Sequence, residues 1–134
     1  MKKLFLLFAA IVCGLTANAQ NTYTKSSMVV IVTQAKKTFT KDINYKDWVI
    51  QQTGSSKTPT LQEERFLKEV YGFLSSNSNS DQIYKNSDGT ALLELSRLKA
   101  KGELVVLENS TPERNWWLWI AIKILVILLD DMIP

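Results

Sequence analysis

Trp116-Trp117-Leu118-Trp119-Ile120-Ala121-Ile122-Lys123-Ile124-Leu125-Val126-Ile127-Leu128-Leu129 carries one charge, Lys123, in fourteen residues. Whether this run is core or anchor decides the organisation of the chain. As a helix it spans about 21 Å, short of the ~30 Å hydrocarbon core of a bilayer. Extension to Ile133 reaches roughly 27 Å but draws in Asp130 and Asp131. As a single strand it would run to about 46 Å, well beyond usual strand lengths. Three tryptophans gather at one end, as aromatic side chains do at a membrane interface. Length and aromatic placement therefore favour a membrane-inserted or membrane-lying helix over a buried helix or a strand. Trp116, Trp117, Trp119, Ile120, Ile124, Ile127 and Leu128 are the expected lipid contacts. Lys123 is the misfit; it can snorkel, lie over Trp119 one turn earlier, or face a partner helix. The positive-inside rule also weighs against a span, because Arg114 would lie outside and Asp130 and Asp131 inside.

At the other end, Met1–Ala19 has the form of a secretory leader. Lys2 and Lys3 make a positive start, Leu4–Val12 an apolar stretch, and Ala17-Asn18-Ala19 a small-residue cleavage site before Gln20. Nine apolar residues are too few to span a bilayer. Cys13 follows Val12, where a lipidated cysteine wants a small residue before it, so it reads as a modest hydrophobe. The expected location is the cell envelope or periplasm, outside the cytoplasm, in contact with membrane.

Removal of residues 1–19 leaves 115 residues with 14 basic and 13 acidic side chains, so the +3 balance of the full chain is mostly leader. That is enough for one domain with a modest core, and it lacks the concentrated basic face that nucleic acid requires. Cys13 is the only cysteine and there is no histidine. Imidazole triads, thiolate zinc sites and histidine switches are therefore out of reach of the mature chain.

Between the two ends the expected fold class is α+β. A small mixed sheet, from the segments near Val30, Val49 and Val105, is packed by two helices, with the hydrophobic helix following. The β-branched run Met28–Thr33 favours a central strand, Tyr45–Gln51 looks extended, and Leu104-Val105-Val106-Leu107 reads as a third strand. Thr60 with Glu63 is a capping box opening a helix over Leu61–Ser75, striped by Phe66, Leu67, Val70, Tyr71 and Leu74. A second helix fits Ala91–Lys101, closed by a left-handed Gly102. The divisions are a leader, 1–19; a polar arm, 20–27; the domain, 28–108; a linker, 109–115; and the hydrophobic segment, 116–134.

Catalytic motifs are sparse, and no catalytic, cofactor or metal residues are expected. Ser96-Arg97-Leu98-Lys99 has a Ser-x-x-Lys spacing without the downstream motifs that its chemistry needs, and reads as a solvated helix face. Asn77, Asn79 and Asp81 alternate as oxygen donors, but Gln82 stands where a calcium loop needs glycine. Glu63-Glu64 and Asp130-Asp131 are neighbours that diverge on a helix. Asn109-Ser110-Thr111 matches a glycosylation sequon. The expected role is a non-catalytic, membrane-associated envelope protein: a scaffold subunit, an inhibitor or an immunity-type protein, with membrane lipid and a protein as partners. Two alternatives are a membrane-inserting toxin and a soluble exported domain whose terminal segment is core.

Overall fold

A computed structural model describes residues 16–88, 90–107 and 115–132, and the side chains within 22–88, 90–107 and 115–127. Six helices are found among them: α1 (Thr16–Lys36), α2 (Tyr45–Thr53), α3 (Leu61–Ser75), α4 (Ser80–Asn86), α5 (Ala91–Ala100) and α6 (Trp116–Met132). There is no strand among the described residues, so the expected α+β fold with a mixed sheet is overturned. α1 packs on α3 and α6, and α5 packs on the same two, which closes a ring of four helices. α4 lies against α1, and α2 against α3.

Each of the three expected strands fails for a physical reason. In α1, Met28, Ile31, Val32 and Ala35 are buried, a spacing of three and four that places them on one helical face. Val30, in the middle of the β-branched run, is exposed. The helix penalty of valine and isoleucine is a few tenths of a kcal/mol each, and burying such side chains outweighs it at about 1.5–3 kcal/mol apiece. The Tyr45–Gln51 segment is helical because Asn44 caps it. The Asn44 side chain accepts from the Asp47 N–H at 2.8 Å, and Gly54, at φ 66°, closes the helix by donating its N–H to the Ile50 carbonyl. Leu104–Leu107 is irregular, and three of its N–H groups are claimed by a side chain instead of a neighbouring strand.

The capping box at Thr60 is present in both directions. Thr60 Oγ1 accepts from the Glu63 N–H at 3.1 Å, and Glu63 Oε1 accepts from the Thr60 N–H at 3.0 Å. A second box, Asn79 with Gln82, starts α4. Gly102, at φ 69°, ends α5; its N–H donates to the Lys99 carbonyl, and the Glu103 N–H donates to that of Leu98.

α6 has 17 residues and is about 26 Å long. No described helix is long and apolar enough to cross a membrane, which corrects the transmembrane reading of the terminal segment. Trp117, Leu118, Ala121, Ile124 and Leu125 belong to the same buried cluster as Met28, Phe66 and Leu95.

Candidate functional site

The residues expected to meet lipid divide between two faces of α6. Trp117 is 1% exposed and Ile124 is buried. The Trp117 ring stacks on Trp48 at 5.7 Å and 15° and lies 6.4 Å from the ring of Phe66. Its Nε1–H donates to Gln52 Oε1 at 2.7 Å, an oxygen that also accepts from the Asn115 side-chain amide. Gln52 is itself buried, so this indole has both its apolar body and its N–H accommodated inside the protein. Leu118 and Leu125, which were not among the expected contacts, are buried beside it.

The opposite face carries Trp116, 53% exposed, and the partly exposed Trp119, Ile120 and Ile127. Trp116 and Trp119 sit one turn apart and stack at 5.0 Å and 25°. The ammonium of Lys123, another turn on, lies 5.1 Å from the centroid of Trp119, within cation–π range. Val126 is exposed on the same helix. The side chain of Leu128 lies outside the described residues. Ring, ring and cation thus form a short ladder along the outer side of α6, amphipathic in the sense that suits a lipid–water boundary.

Two carboxylates on α3, the buried Glu63 and the half-buried Glu69, form the other concentrations of chemistry. Glu63 is fully buried and has no ion-pair partner among the described residues. Its Oε2 accepts from the N–H groups of Val105, Val106 and Leu107 at 3.1, 2.9 and 2.9 Å, while Oε1 holds the Thr60 cap. A row of successive amides makes such an anion-binding concavity, and the N-terminus of α3 adds its dipole. Glu63 thereby fastens the loop after α5 to the start of α3. Its lone pairs are committed, which leaves none for a substrate. Its neighbour Glu64 pairs with Lys68 at 2.8 Å.

Glu69, nearly two turns further along, is held less completely. Oε2 accepts from the Asp88 N–H at 2.5 Å, but Oε1 is buried without a partner among the described residues. Burial, and then the nearby charge of Asp88, push its carboxyl up to about 7, against the pull of the Asp88 N–H and of Arg65. Arg65 bridges Asp88 at 2.5 Å and Glu94 at 2.8 Å. Asp88 lies below the usual carboxylate range chiefly because the Thr90 N–H donates to it. The group ties α3 to the segment between α4 and α5. Sequence reasoning missed it because its members lie 4 to 29 positions apart with no motif spacing. It likewise missed Gln52, which reads as an ordinary surface glutamine.

Ser96 and Lys99 do not form a catalytic pair. Ser96 is fully buried, not on a solvated face, and its hydroxyl donates to the Leu92 carbonyl at 2.9 Å. Of the oxygen donors at 77, 79 and 81, Asn79 is used as the α4 cap. No group of acidic residues among those described is arranged to hold a metal ion. Asn109-Ser110-Thr111 and Cys13 lie outside the described residues.

No known protein family, curated protein or solved structure matches this chain.

Proposed function

We propose that this is an exported, non-catalytic cell-envelope domain that rests on a membrane surface through the outer face of α6 and presents its helical bundle to a protein partner, as a scaffold subunit, inhibitor or immunity-type protein. The observation that carries the membrane contact is the stacked Trp116–Trp119 pair with Lys123 over it, on the face turned away from the core. Indoles favour the headgroup region, and an ammonium one turn away can reach lipid phosphates while its stem stays on the rings. Such a contact is peripheral and salt-sensitive, worth about 1 kcal/mol per basic side chain at an anionic surface.

Export rests on the Met1–Ala19 pattern. Residues 1–15 lie outside the described part, and α1 as described runs through the expected cleavage site. Cleavage after Ala19 would shorten α1 by four residues. Thr24, the first buried residue among the described side chains, lies beyond the cut.

Burial of Trp117, Leu118 and Leu125 favours one competing reading, a soluble exported domain in which α6 only completes the core. The same burial weighs against a membrane-inserting toxin, since insertion would have to extract those side chains. Co-sedimentation of the full chain with vesicles of phosphatidylcholine alone, and of phosphatidylcholine with phosphatidylglycerol, separates the first two. Binding to the anionic vesicles is expected, with a blue shift of tryptophan emission, and is lost in a Trp116→Ala/Trp119→Ala variant that keeps its melting temperature. Absence of binding to either vesicle would leave the soluble reading.

A further inference from the structure

A cleft of about 570 Å3 opens between the α1–α2 connection and the C-terminal end of α3, a volume within the usual range for small-molecule sites, ~300–1,000 Å3. Its apolar side is Phe39, Tyr71 and Leu74. The Phe39 and Tyr71 rings meet edge to face at 6.1 Å. Tyr71 is further fixed by Trp48, 5.5 Å away, and by its own hydroxyl, which donates to the Ile43 carbonyl at 2.5 Å. The aromatic wall is therefore set before anything binds.

Asn44, committed to the α2 cap through Asp47, also lines the cleft; the rest of its polar side is Lys41, Asp42, Ser75 and Asn77. Among the described residues, none of these four side chains is taken up by another protein group. Asp42 and Asn77 are also the two non-glycine residues with left-handed backbone in the described chain, at φ 70° and 51°, and both line this cleft. Glycine would serve either turn at lower backbone cost. The chain instead keeps a carboxylate and a carboxamide there, on opposite connections, at one opening.

The balance of groups selects a ligand class. One cation and one anion cancel, so the cleft offers no single-sign field for a phosphate or polyanion. An aromatic and aliphatic floor with hydroxyl, amide and carboxylate groups at its edge matches a molecule with a C–H face and a rim of hydroxyls. We infer that this cleft binds a neutral sugar of one or two pyranose rings, its face against Phe39 and Tyr71 and its hydroxyls toward Asp42, Ser75 and Asn77. The site stands apart from the lipid-facing ladder and does not depend on it.

The test is saturation-transfer and amide-shift NMR on the full chain, using N-acetylglucosamine and N,N′-diacetylchitobiose as probes and free phenylalanine as the zwitterion control. Millimolar sugar is expected to receive saturation and to shift amides at 39–43 and 71–77. An Asp42→Gly/Asn77→Gly variant, whose backbone is easier to form, is expected to keep or raise its melting temperature and to bind roughly tenfold more weakly, in line with the loss of two hydrogen bonds of modest net worth. No transfer to either sugar, shifts confined to other segments, undiminished binding in the double-glycine variant, or binding of phenylalanine alone would each overturn the assignment.

Discussion

Trp116 and Trp117 are adjacent in the chain and opposite in environment. Trp117 stacks on Trp48, reaches Gln52 with its N–H, and is 1% exposed. Trp116 stacks on Trp119 and is half exposed. A segment that is apolar all round can thus be half core and half surface, and hydropathy alone does not say which half is which. What assigns the faces is the partner set: α1 and α5 flank α6, and Gln52 supplies the acceptor that a buried indole requires. Glu63 and Glu69 repeat the contrast on α3. One carboxylate is enclosed with both oxygens satisfied, and the other is half-buried with one buried oxygen unpartnered among the described residues.

Trp117→Ala should sharpen the comparison most. It removes a buried ring and one of the two donors to Gln52 Oε1, so chemical denaturation should show a loss of about 3–5 kcal/mol. Glu63→Gln comes next. An amide can reproduce one acceptor but turns an NH2 toward N–H donors, and a loss of about 2–3 kcal/mol is expected, with faster amide exchange at Val105–Leu107. A Glu63→Gln chain as stable as the parent would remove the claim that this carboxylate fastens the loop.

The pH dependence of Glu69 has a definite sign. Its carboxyl titrates at about 7 when folded, against an ordinary value of 4.5, so the folded chain holds the proton longer than the unfolded one. The associated stability is fully present below about pH 4.5, and falls away as pH rises through 7. The melting temperature of Glu69→Gln relative to the parent should therefore climb between pH 5 and pH 8. A constant offset across that range would contradict the assignment. Smallest of all, Trp116→Ala should change stability by no more than about 0.5 kcal/mol, while Trp117→Ala changes it severely; equal effects would erase the distinction between the faces.

Local signals were legible and long-range ones were not. Thr60 and Glu63 place the start of α3 at Leu61, and Gly102 marks the end of α5, because caps are decided by residues three or four apart. The sheet was misread because β-branched density in Met28–Thr33 masked the helical spacing of Met28, Ile31, Val32 and Ala35. Asn44 before Asp47 was an available cap signal for α2. In Leu104–Leu107, apolar residues resembled a strand, yet their partner is Glu63, more than forty positions away. Of the candidate site, the proximity of Lys123 to Trp119 follows from i,i+4 spacing. The division of the aromatic residues between core and surface depends on tertiary partners, and no pattern within the segment encodes it.

The most direct test removes residues 116–134 and follows far-UV circular dichroism and thermal unfolding of the chain ending at Asn115. With α6 as one wall of the four-helix ring, the truncated chain should lose its cooperative transition and much of the helicity of α1 and α5. A truncated chain that melts as sharply and at the same temperature as the full one would contradict the account, for α6 would then be an appendage to a domain complete without it.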